Sequence, residues 1–213
     1  MHAALVPVRS LTGAKRRLSV NLSESDRTEL ALAMLQDMVD ALTAARSLSR
    51  VVVLSADPVL LEHASSCGAE TMREGAPKGL NTAVMTAARA LEADGVTRLL
   101  TIPGDVPLIT TEEVDAAFAT DAGRFPVVLI PSASGAGTNG LLTSPPTILA
   151  PKFEGDSLEA HQAAAAIAGL GSTVLALPSF ALDVDTPEDL ASLATSTTTR
   201  RSVIMASRSK NAA

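Results

Sequence analysis

The chain has no tryptophan and no tyrosine, four phenylalanines and one cysteine among its 213 residues. With aromatics at 2%, the core has to be built from Ala, Leu, Val and Ile. The same shortage argues against single-stranded nucleic-acid binding, which relies on aromatic stacking platforms. A net charge of -6 removes the broad attraction that drives non-specific DNA binding, so no nucleic-acid partner is expected. The lone Cys67 excludes an intramolecular disulfide and a cysteine-rich zinc site, and its expected role is a small buried filler. No apolar run reaches the ~20 residues that span a bilayer. The N-terminus enters Ala3-Ala4-Leu5-Val6-Pro7-Val8 without the basic region, long apolar segment and cleavage site of a secretory signal. A soluble cytoplasmic protein without membrane attachment is the expectation.

What is present reads as one globular domain. Hydrophobic residues make up 46% and charged ones 19%, a balance that opposes disorder, and the length suits one sizeable core. Short apolar runs alternate with helical patterns, the signature of an α/β protein. Strands are expected at 3–8, 51–55, 70–73, 98–102, 127–131, 140–143 and 173–177. Helices are expected at 25–45, 58–67, 80–94, 111–119, 157–169 and 187–194. Start signals support several of them: Ser23-Glu24-Ser25-Asp26, Thr110-Thr111-Glu112-Glu113 and Thr186-Pro187-Glu188-Asp189. After Ala194 the run Thr195-Ser196-Thr197-Thr198-Thr199-Arg200-Arg201 leads into a polar, basic end. The expected division is a domain over 1–194 and a disordered tail over 195–213.

Two acidic corners carry the chemistry. Ile102-Pro103-Gly104-Asp105-Val106-Pro107 closes one apolar run, and Asp183-Val184-Asp185-Thr186-Pro187 follows another. Strand ends are where open α/β sheets place ligands, and residues two apart in a strand share a face, so Asp183 and Asp185 project together. Hard cations such as Mg²⁺ take one or two carboxylates plus substrate phosphates. Each Asp is equally suited to forming a turn or capping a helix; the presence of both corners in one chain favours a metal.

Other loops could serve the same ligand. Pro7 to Leu18 combines Gly13 with Lys15-Arg16-Arg17 after a buried strand, a possible polyphosphate cradle that lacks the Walker pattern. Lys78-Gly79-Leu80-Asn81 opens a helix whose N–H groups could receive an anion, and Asn81 offers donor and acceptor groups to a base edge; a simple helix cap is the competing reading. Gly135-Ala136-Gly137-Thr138-Asn139-Gly140 is suited to close approach by a ligand. Ser157 stands at a helix start with His161 one turn later. A Ser–His hydrolase is not expected, because no nucleophile-elbow pattern is present.

Taken together these segments resemble the 2-phospho-L-lactate guanylyltransferase family, whose members act in the biosynthesis of the deazaflavin coenzyme F420. The resemblance runs from Leu5 to Leu190. It rests on Val6-Pro7-Val8, Ala14-Lys15 with Arg17-Leu18, Gly79-Leu80-Asn81, Pro103-Gly104-Asp105-Val106-Pro107-Leu108, Gly137-Thr138-Asn139, Ser157 with His161, and Asp183 to Leu190. It implies a three-layer α/β/α fold of the nucleotide-diphospho-sugar transferase (GT-A-like) type, with a mostly parallel mixed sheet. It further implies a Mg²⁺-dependent reaction in which GTP and a phosphorylated three-carbon acid give a guanylylated product and pyrophosphate. Residue by residue, Asp105 and Asp185 would hold metal with Asp183 a further ligand, and Lys15 would act with Asp105 in catalysis. Pro7, Lys15, Gly79 and Asn81 would face GTP; Thr138, Gly155 and Ser157 would line the acid. A downstream deazaflavin transferase would be the partner that takes the product.

The chain departs from the family in two places. Arg9 stands where lysine is common, and Phe153-Glu154-Gly155-Asp156-Ser157-Leu158 replaces a Phe-Gly-Pro-Gly-Ser-Phe run. The second departure falls on the acid loop, which leaves 2-phospho-L-lactate, phosphoenolpyruvate and 3-phospho-D-glycerate all open. Competing readings are another nucleotidyltransferase of the same fold, acting on a molybdenum cofactor or a sugar phosphate, and a non-catalytic nucleotide sensor.

Overall fold

A computed structural model describes residues 1–11, 15–75 and 79–210. Gly13, Ala14 and Lys78, part of the loops singled out above, lie outside them. The strands are β1 (His2–Pro7), β2 (Arg50–Ser55), β3 (Glu70–Arg73), β4 (Arg98–Thr101), β5 (Val127–Pro131), β6 (Thr138–Thr143) and β7 (Ser172–Val174). The α-helices are α1 (Glu24–Thr43), α2 (Pro58–Ser66), α3 (Leu80–Ala93), α4 (Thr111–Phe118), α5 (Ser157–Ile167), α6 (Pro187–Ala194) and α7 (Arg201–Lys210).

The strands form one sheet in the order β3-β2-β1-β4-β6-β5-β7. Neighbours pair in parallel except around β6, which runs antiparallel to both β4 and β5. Alternate side chains leave opposite faces of each strand, and both faces are covered. Ala4, Val6, Val51, Val53, Leu100 and Ile130 pack under α1, α2 and α4. Ala3, Leu5, Val52, Leu54 and Leu99 pack under α3, while Val127, Leu129 and Leu141 meet α5. This is the expected three-layer α/β/α arrangement, and it explains why the central strands read as unbroken apolar runs.

Helix starts follow the sequence signals. Ser23 and Asp26 form a reciprocal capping box on α1, and Thr186 with Asp189 forms another on α6 behind Pro187. Thr110 caps α4, and Asp57 caps α2 with Pro58 in the first turn. The last expected strand is shorter than its apolar run: β7 ends at Val174, and Leu175 adds one further bond to Leu129 before the chain turns at Pro178. A short 3-10 helix, Arg16–Val20, follows Lys15 where only a loop was expected, and it buries Leu18.

The disordered tail expected from Thr195 is corrected by α7. Asp37 of α1 accepts hydrogen bonds from the backbone N–H groups of Arg201 and Ser202 and from the Ser202 hydroxyl. Val203 and Ala206 are buried against Met34, Leu190 and Leu193. The docked face is short, and its anchor lies on a distant helix, so local composition did not reveal it. Among the described residues no helix is long and apolar enough to cross a membrane.

Candidate functional site

The strand order reverses between β1 and β4, since β2 and β3 lie to one side of β1 and β4 to the other. Such a switch point opens a crevice at the carboxyl ends of the strands. The chain leaving β4 is held there by β1: Ile102 N–H donates to the Leu5 carbonyl at 3.0 Å and Gly104 N–H to the Pro7 carbonyl at 3.2 Å. A Cβ on Gly104 would stand 2.7 Å from Val8 Cγ2, so the close crossing requires glycine. The Pro7 carbonyl is thereby spent on framing the crevice.

The two acidic corners meet here on a single cation. Lys15 Nζ lies 2.8 Å from Asp105 Oδ2 and 2.9 Å from Asp185 Oδ1. Side-chain exposure is 11% for Lys15, 25% for Asp105 and 49% for Asp185, so the ammonium is sheltered while the carboxylates open towards solvent. Burial works against the Lys15 charge, but the two carboxylates outweigh it and hold the ammonium's pKa above its usual value. Lys15 also has a left-handed backbone at φ 50, which costs about 1–2 kcal/mol for a residue with a Cβ. Upstream, the same loop is anchored by Asp57, whose Oδ2 accepts from the Ser10 hydroxyl at 3.0 Å and Leu11 N–H at 2.9 Å.

Asp183 sits beside this pair. Asn139, buried on β6, donates through Nδ2 to Asp183 Oδ1 at 3.1 Å and to the Phe180 carbonyl at 2.8 Å. Burial, and after it the charges of Asp105 and Asp185, push the Asp183 carboxyl above its ordinary range against the pull of Asn139. The capping of α6 falls to Thr186 and Asp189, and Asp189 Oδ2 accepts from Asp185 N–H, Thr186 N–H and the Thr186 hydroxyl. Asp183 and Asp185 are left to face the crevice charges.

Among the described residues no group of three or more His, Cys, Asp or Glu converges as a ready-made metal cage. The fit to a divalent ion is tested instead by the Lys15 ammonium. Two carboxylate oxygens from separate corners already converge on one positive charge, which matches the one or two carboxylates that Mg²⁺ takes beside substrate phosphates.

The residues expected to line the acid form a bracket. Ser157 Oγ accepts from Thr138 N–H at 2.8 Å, and Thr138 Oγ1 lies 3.1 Å from His161 Nδ1. Lys152 N–H donates to His161 Nε2 at 2.9 Å, so the ring proton belongs on Nδ1, aimed at the Thr138 hydroxyl. All three side chains are buried, and burial lowers the His161 pKa to about 4. Gly155 precedes them with φ 61, and its carbonyl accepts from Ser157 N–H. The structure therefore brings Thr138, Gly155 and Ser157 together, with the two hydroxyl-bearing side chains spent on joining β6 to α5. His161, which alone could have been a surface histidine, is part of that joint.

The residues expected at the guanosine lie at the start of α3. Gly79 has φ 89 and precedes the first turn. Asn81 Oδ1 accepts from Phe153 N–H at 2.9 Å, which ties the α3 start to the acid loop. Nearby, a cavity of about 260 Å³ opens between the ends of β2 and β3 and the side of α3, lined by Leu54, Met72, Glu74 and Thr82 among others. Two supporting residues, Asp57 and Asn139, had not been given a role from the sequence. Asn139 stands in the Gly137-Thr138-Asn139 motif and so had a signal; Asp57 acts on Ser10 and Leu11, remote in the chain.

Comparison with known proteins gives the family and the fold. A family model described as "Guanylyl transferase CofC like" matches residues 2–203. A phosphoenolpyruvate guanylyltransferase of Conexibacter woesei is 40% identical, over 89% of this chain and 86% of that protein. A 2-phospho-L-lactate guanylyltransferase of Methanothermobacter thermautotrophicus is 38% identical, over 89% of this chain and 82% of that protein. Among solved structures, a Desulfovibrio desulfuricans protein provisionally named a nucleotide-diphospho-sugar transferase superposes with a TM-score of 0.82. It is 16% identical and aligns over 99% of this chain and 96% of that one, which supports the fold alone.

Proposed function

This chain belongs to the CofC-like guanylyl transferase family, and from that premise we propose that it transfers GMP from GTP to a phosphorylated three-carbon acid and releases pyrophosphate. The observation that carries the reading is the convergence of Asp105 and Asp185 on the Lys15 ammonium at the switch point of the sheet. Phosphoenolpyruvate is the first acid to test, because the Conexibacter relative at 40% identity bears that name; 2-phospho-L-lactate and 3-phospho-D-glycerate are the others. The guanylylated product would pass to a deazaflavin transferase of coenzyme F420 biosynthesis, in the cytoplasm.

The chemistry asks little of a general base. A phosphate monoester has a second pKa near 6, so at neutral pH its oxygen is already an anionic nucleophile towards the α-phosphorus of GTP. What remains is to align two anions and offset their repulsion. Asp105 and Asp185, with Asp183 beside them, would hold Mg²⁺. When bound, the ion supplies charge neutralisation at the phosphates and a template for their orientation. Lys15, released from the carboxylates, turns its ammonium to the triphosphate and shares in stabilising the departing pyrophosphate. Gly79 and Asn81 would contact the guanosine. Thr138, Gly155 and Ser157 would shape the acid subsite, with the exposed Gly155 presenting the accessible surface because the two side chains are engaged. Pyrophosphate release with GTP and each acid, coupled to the deazaflavin acceptor, tests the reading; no release with any of the three would refute it.

A further inference from the structure

The loop that carries Asp105 has few internal means of holding its shape. Pro103 and Pro107 lack N–H groups, and the segment runs as a connection from β4 to α4. Besides the Ile102 bond to Leu5, the Thr110 N–H bond to Ser179 Oγ and the Lys15–Asp105 pair, three outside contacts bear on the stretch from Gly104 to Ile109. Gly104 N–H is bound by Pro7 of β1, and the Asp105 carbonyl accepts from Val184 N–H at 3.0 Å. The third comes from the C-terminal segment: Arg200 donates through its two terminal nitrogens to the carbonyls of Pro107 and Ile109, at 2.5 Å each.

We propose that Arg200 is a positioning residue for the Asp105 carboxylate, bracing the far side of its loop through the Pro107 and Ile109 carbonyls. A planar guanidinium can engage two carbonyls at once with little loss of freedom, whereas lysine offers a single point charge. Arg200 is partly buried, and burial pulls its pKa below the usual value while Asp37 and Asp40 act in the opposite sense. Asp37 sets the position of Arg200 through the backbone N–H groups of Arg201 and Ser202, which stay in place when only the Ser202 hydroxyl is removed. The chain after Ala194 thus reaches across to the loop of the candidate metal site. It serves the site from behind. The proposal rests on the metal reading given above.

Mn²⁺ titration followed by electron paramagnetic resonance, without turnover, tests it on the full chain. Groups hydrogen-bonded to a metal ligand are worth about 10–100-fold in metal affinity, and Arg200 acts one step further out, on the backbone of the ligand's loop. Arg200→Gln should therefore weaken Mn²⁺ binding by up to about tenfold, and Arg200→Lys should fall between it and the parent. Ser202→Ala, which loosens α7 without touching the two carbonyls, should lower the thermal midpoint and leave Mn²⁺ affinity as it was. Parent-like binding in Arg200→Gln, or in Arg200→Lys should the former not fold, overturns the proposal. So does an equal loss in Ser202→Ala, which would mean general loosening of α7. Asp105→Asn separates the two levels. Binding abolished there but intact in the Arg200 variants leaves the metal reading standing without this role, and a parent protein that binds no Mn²⁺ removes both.

Discussion

The backbone N–H of Val184 donates to the carbonyl of Asp105 at 3.0 Å, so two acidic corners remote in sequence share one fixed geometry. The bond places Asp183 and Asp185, on either side of Val184, against the loop that leaves β4. It also accounts for the way one ammonium can satisfy Asp105 and Asp185 together.

Lys15 competes with the metal for the same carboxylates. Lys15→Met should therefore have two opposite effects: tighter Mn²⁺ binding in the absence of nucleotide, and pyrophosphate release reduced by about 10²–10³, the size expected for losing a group aimed at developing charge. Mn²⁺ titration and a pyrophosphate assay on the same preparation check both. Turnover unchanged by this substitution contradicts the assigned role.

Asn139 holds the second corner from beneath. Asn139→Ala removes the donor that the buried Phe180 carbonyl and Asp183 share, and leaving such groups unpaired costs about 1–3 kcal/mol. Denaturant unfolding should show that loss. Pyrophosphate release should require more Mg²⁺ for half-saturation, because Asp183 is no longer held. An Asn139→Ala variant with parent-like stability and Mg²⁺ dependence removes Asn139 from the account.

His161 makes the fold acid-sensitive. Its folded pKa is about 4 against about 6.5 in an unfolded chain, so between these values the unfolded state binds the extra proton. Stability then rises with pH across that window, and is lost as pH falls from about 6.5 towards 4, by of order 3 kcal/mol in all. The physical cause is burial, compounded by the Lys152 N–H that already occupies Nε2. His161→Gln should be less stable near neutral pH but show a flatter dependence of thermal midpoint on pH from 6.5 to 4. Parallel curves for the two proteins would contradict the assignment.

Much of the fold was legible because local and distant preferences agree. Unbroken apolar runs such as Val51-Val52-Val53-Leu54 marked strands buried on both faces, and Thr186-Pro187-Glu188-Asp189 announced α6 with its capping box. Asp105, Asp183 and Asp185 stood out because carboxylates at strand ends are conspicuous. The supporting contacts were not legible, since Asp37, Asn139 and Arg200 act on backbone groups far away in sequence. The tail misled for the same reason: Thr195 to Arg201 is polar, and nothing local shows that Val203 and Ala206 would pack against α1 and α6. Thr138 and Ser157 were expected to line the acid; that Ser157 Oγ accepts from the Thr138 backbone N–H while the Thr138 hydroxyl meets His161 was not legible, because it is set by how α5 docks on β6.

Guanylyl transfer at the Asp105–Asp185 crevice is read from pyrophosphate release. Purified protein is incubated with GTP, Mg²⁺ and each acid in turn, and pyrophosphate release is compared between the parent and Asp105→Asn. Release is expected with GTP and at least one of the acids, phosphoenolpyruvate first, and a loss of about 10²-fold or more in the variant with its circular-dichroism spectrum unchanged. Equal rates in parent and variant, or no release with any acid, would contradict it.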